Sequence, residues 1–174
     1  TNDRVESVGQ YAFYCNGAIK DAEFQKAKSI GDYAFQKCKA LESVNAPKAT
    51  FVGQYAFQYC EKLKAISLPS VEEFSSYVFA QCKMIESVNF PLLTTASSSC
   101  FSSCNELKSA VFPALTNLAN TMFYSCSKLK SADFSVLGSI ASRGFNNCHK
   151  LIALIIRSEE VCSLANTDAL TGCY

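Results

Sequence analysis

The chain carries little charge. Asp, Glu, Lys and Arg together make up 18% of its 174 residues and nearly cancel, leaving a net charge of +1. A nucleic-acid or anionic-membrane surface needs clustered Lys and Arg, so neither partner is expected. Histidine is almost missing, with His149 standing alone, and no glycine-rich phosphate loop occurs. No constellation of side chains therefore points to catalysis, to a cofactor or to a metal. The longest apolar run, from Leu151 to Ile156, is far short of the roughly 20 residues that span a bilayer. The polar start Thr1-Asn2-Asp3-Arg4 is not followed by the apolar region of a leader peptide. No Asn-x-Ser/Thr sequon is present.

What the sequence has in abundance is repetition. Phe35/Cys38/Leu41 recurs as Phe57/Cys60/Leu63, Phe79/Cys82/Ile85, Phe101/Cys104/Leu107, Phe123/Cys126/Leu129 and Phe145/Cys148/Leu151, each 22 residues on. Phe13/Asn16/Ile19 is an earlier, weaker copy. A fixed period of about 20–50 residues is the signature of a solenoid whose units stack only on their neighbours. One domain is expected over residues 1–174, with regular repeats from about 10 to 151 and an irregular last coil over 152–174.

With the closing Leu as position 1, positions 4 and 6 are apolar and alternate with polar residues, which predicts a short strand with one buried face. Pro47, Pro69, Pro91 and Pro113, the four prolines of the chain, end that strand because proline cannot donate to the next rung. A second apolar pair follows at positions 9 and 12, as in Val71/Phe74, Leu115/Leu118 and Leu137/Ile140. Turn-prone pairs come next: Gly31-Asp32, Gly53-Gln54, Ser75-Ser76 and Ser97-Ser98. The Phe–Cys segment has the spacing of one helical turn and is too short for a full α-helix. Stacked coils then place Phe13, Phe35, Phe57, Phe79, Phe101, Phe123 and Phe145 inside as a spine.

Of ten cysteines, Cys38, Cys60, Cys82, Cys104, Cys126 and Cys148 share one repeat position. Metal ligands must converge from different directions at short local spacings, whereas equivalent positions on successive coils form a parallel ladder. Its rungs lie about 4.8 Å apart, and a disulfide wants Cβ atoms about 3.8 Å apart. These thiols read as small buried hydrophobes. Cys15, Cys100, Cys162 and Cys173 lie off the ladder or at its ragged end, and their redox state stays open.

The clearest copies, Leu63-Lys64-Ala65-Ile66-Ser67-Leu68-Pro69 and Ile30-Gly31-Asp32-Tyr33-Ala34-Phe35-Gln36-Lys37-Cys38, carry a resemblance. The chain resembles the BspA-like, or Treponema pallidum-type, leucine-rich repeat family. It departs from the pattern at Asn16, at Ser135 in place of Pro, and at Ala96, Ser97, Ser98 and Ser99. The resemblance implies an α/β solenoid: a right-handed superhelix of about seven coils with parallel short strands and short helical turns. It also implies a secreted or cell-surface microbial protein that adheres to host, matrix or bacterial surface proteins through its exposed strand face.

Two ladders are candidates for that role. Position 2 reads Lys20, Glu42, Lys64, Glu86, Lys108 and Lys130; position 5 reads Glu23, Asn45, Ser67, Asn89, Val111 and Asp133. Opposite charges on neighbouring rungs help stacking by a few tenths of a kcal/mol each, so this is either a self-neutralising ladder or a polar recognition surface. The second ladder is Tyr11, Tyr33, Tyr55 and Tyr77, followed by Ser99, Thr121 and Arg143. Stacked tyrosines, rigid and amphipathic, suit protein or carbohydrate; tyrosine is also common filler here in the family resembled. A structural spacer with no ligand of its own is the further alternative. His149 adjoins Cys148, but adjacent residues rarely face each other as a nucleophile and base must. Glu72-Glu73 and Glu159-Glu160 read as solvated surface.

The ends look open. Thr1 falls inside a strand position, and residues 161–173 echo the unit with Leu170/Cys173 in place of Phe/Cys, so a piece of a longer protein is expected. Ile152 and Ile155 are apolar where most other copies are polar, as at Lys64 and Ser67 or Glu86 and Asn89, a patch that further chain, a partner or a self-contact is expected to cover.

Overall fold

The structure, a computed structural model, describes residues 4–157 together with 163, 164, 168, 170, 171 and 173. Glu159, Glu160, Cys162 and most of the last echo of the repeat lie outside the described residues. In chain order the strands are β1 (Ser7–Val8), β2 (Asp21–Glu23), β3 (Ser29–Ile30), β4 (Ser43–Asn45), β5 (Phe51–Val52), β6 (Ala65–Ser67), β7 (Glu73–Phe74) and β8 (Ser87–Asn89). They continue as β9 (Thr95–Ala96), β10 (Ser109–Val111), β11 (Asn117–Leu118), β12 (Ser131–Phe134), β13 (Ser139–Ile140), β14 (Ala153–Ile156) and β15 (Ser163–Leu164). Even-numbered strands β2 to β14 form the front of the solenoid and odd-numbered strands the back. Every pairing is parallel, and the regular coils pair at an offset of 22 residues, as in Val44 with Ala22 and with Ile66.

Proline sets most front-strand lengths. Strands β4, β6, β8 and β10, each followed two residues on by Pro47, Pro69, Pro91 or Pro113, have three residues. Where Ser135 takes the proline's place, β12 runs to four residues, and so does β14 ahead of Arg157. Strand β2, with Gln25 two residues on in the proline's position, stays at three without a proline.

The core is columnar. Phe35, Phe57, Phe79, Phe101, Phe123 and Phe145 are fully buried, whereas Phe13, at the end of the stack, is half-buried. Successive spine rings stand 4.9, 5.2, 5.2, 5.5, 5.6 and 5.3 Å apart and close to parallel. Beside the spine run the buried ladder cysteines. Each Sγ–H donates to the carbonyl of the spine Phe one coil earlier, as Cys60 does to Phe35 at 3.1 Å and Cys104 to Phe79 at 3.2 Å. The nine described cysteines are free thiols, and of these Cys15 is exposed.

The expected helical turns are absent: no helix occurs among the described residues. The reason lies in how the Phe–Cys segment spends its amides. The N–H groups of Ala34, Gln36 and Cys38 close turns onto Gly31, Tyr33 and Phe35 three residues back. Those of Tyr33, Phe35 and Lys37, in between, donate to Gln54, Ala56 and Gln58 of the next coil. A helix would keep all of these bonds within the segment and leave the coils unlinked there. Left-handed residues enforce the alternation, at φ 57° for Tyr33 and 62° for Lys37, and their equivalents repeat this from Tyr11 and Cys15 to Arg143 and Asn147.

The stack is not uniform. On the front, β2-β4-β6 and β8-β10-β12-β14 are separate sheets; on the back, β1-β3-β5-β7-β9 is separate from β11-β13-β15. The two spine steps that flank the coil of β8 and β9 are also the widest, at 5.5 and 5.6 Å. Core volume changes there. Position 6 passes from Phe24, Ala46 and Leu68 to Phe90, Phe112 and Phe134, all buried. Phe74 from the back meets Phe90 edge-on at 5.0 Å and Phe101 at 6.2 Å. Two rings packed edge to face need more depth than the Ala and Leu they follow, and a close-packed core transmits that demand to the backbone. The front parts at this joint, between β6 and β8.

Candidate functional site

The front face is where a short alternating strand turns every second side chain outward. Lys20, Lys64, Ser67, Glu86 and Asn89 are exposed, and Glu23, Glu42 and Asn45 are half-exposed. Neighbouring rungs pair as their charges suggest. Lys64 Nζ lies 3.5 Å from Glu42 Oε2, Lys108 Nζ donates to Glu86 Oε2 at 2.7 Å, and Asn45 Nδ2 donates to Glu23 Oε2 at 3.0 Å. The Lys108 contact holds the Glu86 carboxyl below its usual range. Arg157 grips Asp133 with both Nη groups, the second at 2.9 Å, and is thereby held more firmly protonated.

The charge ladder is nevertheless interrupted. Lys64 and Glu86 occupy successive rungs, yet Lys64 pairs with Glu42 and Glu86 with Lys108, each away from the other. Between them the backbone ladder is open. Elsewhere on the front, Ala46 N–H donates to Ser67, Phe90 N–H to Val111, Lys64 N–H to Glu42 and Lys108 N–H to Glu86. The equivalent N–H groups at this joint, those of Leu68 and Glu86, make no such bond. Ile66 is half-buried and Met84 is 43% exposed beside the opening. The seam thus gathers Lys64, Ser67, Glu86 and Asn89 with unpaired strand edges. It was invisible to position-by-position reading: position 6 jumps from Leu68 to Phe90 there, but the larger change from Phe24 to Ala46 leaves β2 and β4 paired.

The tyrosine ladder stands on the turns, away from the front strands. Tyr11, Tyr33, Tyr55 and Tyr77 stack at 4.8, 5.0 and 5.0 Å. Tyr33, Tyr55 and Tyr77 are half-buried rather than fully exposed. Desolvation, then the neighbouring phenols of Tyr11 and Tyr55, pushes the Tyr33 hydroxyl upward.

His149 is exposed, whereas the Cys148 thiol is buried and donates to Phe123 O at 3.1 Å. Burial pushes that thiol up to about 12, so the adjacent pair offers no activated nucleophile. Among the described residues no group of three or more His, Cys, Asp and Glu could hold a metal ion, and no helix is long and apolar enough to cross a membrane. Ile152 is 86% exposed and Ile155 40% exposed at the last front strand.

Comparison with known proteins agrees with this geometry. The profile described as BspA type leucine rich repeat region, six copies, matches residues 1–83 and 50–173. No curated protein matches the chain significantly in sequence. Among solved structures, a leucine-rich repeat protein of T. pallidum is similar at a TM-score of 0.78 and 26% identity, over 86% of this chain and 71% of that one. The pneumococcal vaccine antigen PcpA follows at 0.70 and 15%, over 93% of this chain and 45% of that one. A leucine-rich cell surface protein of Faecalibacterium prausnitzii is similar at 0.56 and 21%, over 89% and 44%. The chain therefore spans under half the length of the last two, and both likenesses concern the fold alone.

Proposed function

Because the chain belongs to the BspA-type leucine-rich repeat family, we propose that it is a non-enzymatic protein-interaction module of a microbial surface or secreted protein. Its role in this reading is adhesion, and its ligand docks on the front strand face across the seam between β6 and β8. The observation that carries the reading is the opening itself. Strand edges with unpaired N–H and C=O groups are templates for an extended partner segment. Here they lie between the outward side chains Lys64 and Ser67 on one edge and Glu86 and Asn89 on the other. Opposed charges flanking such an edge orient a partner and speed its encounter. The protein of Faecalibacterium prausnitzii described as a leucine-rich cell surface protein supports the proposed location by analogy of fold.

The test is capture of host, matrix and bacterial surface proteins on the immobilised chain, beside a Lys64→Ala/Glu86→Ala/Asn89→Ala variant of unchanged circular dichroism. A partner that binds saturably to the parent and is lost by the variant is the expected result. Equal binding by both refutes the seam as the docking face. Capture of nothing by the folded chain favours a spacer instead.

A further inference from the structure

We infer that the rung left vacant beyond Tyr77 is a slot for one sugar ring, a neutral pyranose with adjacent free hydroxyls. The site lies on the turn column and is independent of the front-face reading. The tyrosine stack stops at Tyr77 because position 15 passes to Ser99, Thr121 and Arg143. The backbone does not change with it: φ is 57°, 57° and 61° at Tyr33, Tyr55 and Tyr77, and 61°, 55° and 54° at Ser99, Thr121 and Arg143. The rungs continue while the rings are missing. Tyr77 has Tyr55 stacked 5.0 Å away on one face; on the side of Ser99 there is a hollow of about 290 Å³ lined by Tyr77, Ser99, Ser102, Thr121, Tyr124 and Arg143. That volume falls just below the roughly 300 Å³ at which pockets for drug-sized ligands begin, which suits a single ring.

The polar groups around this ring face select the ligand. Ser99 is nearly buried, at 4% exposure, and its hydroxyl lies 2.7 Å from Thr121 Oγ1. Thr121 Oγ1 in turn donates to Asn120 O at 2.7 Å. That chain makes Ser99 the donor to Thr121 and leaves the lone pairs of Ser99 Oγ to accept from a ligand hydroxyl. At the rim, Arg143 Nε lies 3.4 Å from Asp168 Oδ2, which also accepts from Ser142 Oγ at 3.0 Å. The pair presents donors and an acceptor side by side, a match for two neighbouring hydroxyls. Its charge is already balanced, which favours a neutral sugar over an acidic one. An aromatic side chain of a protein partner also fits the ring face, but it displaces water from the free lone pairs of Ser99 Oγ without offering them a donor, a cost a sugar hydroxyl avoids.

The experiment is saturation-transfer NMR and calorimetry on the full chain with the methyl glycosides of glucose, galactose, mannose and N-acetylglucosamine, and with N-acetyltyrosinamide. Two variants accompany it. Ser99→Tyr continues the ladder at a φ that tyrosine already adopts in four other coils, and so fills the slot without disturbing the turn. Tyr77→Ala removes the platform. The expected result is saturable binding of at least one glycoside, weakened at least about tenfold in both variants while their melting temperatures stay near or above that of the parent for Ser99→Tyr. Three results overturn the inference: no glycoside binds, binding survives Ser99→Tyr, or only N-acetyltyrosinamide binds.

Discussion

The rings of Phe79 and Phe101 stand 5.5 Å apart where those of Phe57 and Phe79 stand 5.2 Å apart, and the same joint separates β6 from β8. The widened spine step and the parted front coincide with the edge-to-face packing of Phe74 against Phe90. Amide exchange reads the consequence directly. The amides of Ala46, Lys64, Phe90 and Lys108 are hydrogen-bonded across their joints, and those of Leu68 and Glu86 are not. We expect slow exchange for the first four and fast exchange for Leu68 and Glu86. Phe90→Leu, which restores the side chain of the preceding coil, is expected to slow exchange at Glu86 even as it lowers global stability. Uniform protection along the front contradicts the seam.

The spine should be the costliest place to damage. Phe101 is fully buried and touches Phe74, Phe79, Phe90, Phe112 and Phe123. Phe101→Ala is expected to cost about 3–5 kcal/mol. Phe13→Ala, at the half-buried end of the column, should cost distinctly less. Urea titration of both variants gives the comparison; equal losses argue against a stack whose end coils are less constrained than its centre.

Much of this architecture was legible because each position is written many times over. The columns of Phe35 to Phe145 and Cys38 to Cys148 could be read as inward-facing before any coordinate was known, and the prolines marked where front strands end. The Phe–Cys segment misled because three-residue spacing is common to a helical turn and to two successive tight turns. Only the destination of the alternate amides separates the two, and backbone amides leave no trace in sequence. The charge ladder was legible as a column but not as a set of pairs. Lys64 and Glu86 look like natural partners, yet they sit beside β6 and β8, which are not paired. The vacant rung was half-visible: Ser99 after Tyr77 could be read, whereas Ser102 and Tyr124 enter the slot from another column.

The ladder thiols make a prediction about pH. Burial raises them all, Cys38 to about 11, Cys104 and Cys148 to about 12, and Cys60, Cys82 and Cys126 well above the ordinary value of 9.0. A group whose folded value is raised contributes stability that is complete below its unfolded value and is lost as pH rises toward the folded one. Stability should hold to about pH 9 and then fall through about pH 12, with several thiols adding to the slope. Among the described ladder and off-ladder cysteines, exposed Cys15 should react first with a thiol reagent at neutral pH, half-exposed Cys173 more slowly, and the buried ladder thiols last. Replacing Cys60, Cys82, Cys104 and Cys126 by Ala should flatten the alkaline limb. An unchanged limb, measured by chemical denaturation at stepped pH, excludes the ladder as its source.

Glycine at Gly53 makes the last prediction, because two coils meet there backbone to backbone. A Cβ on Gly53 falls 2.6 Å from Asp32 N and 2.7 Å from Gly31 C, neither of which can move without shifting the preceding coil. Asp32 also accepts the Gln54 amide through Oδ1 at 2.8 Å, so a shift there loosens a second link between the same coils. A Cβ on Gly9, one position of the same column at the end of the stack, meets nothing within 4 Å. Gly53→Ala should therefore destabilise by about 1–3 kcal/mol, the usual range for overpacking, while Gly9→Ala stays within about 0.5 kcal/mol of the parent. The contrast isolates contact from conformation, since both changes add the same methyl group to the same position of the repeat. If thermal melts show the two variants alike, close approach of the coils at Gly31 and Gly53 is not what selects glycine there.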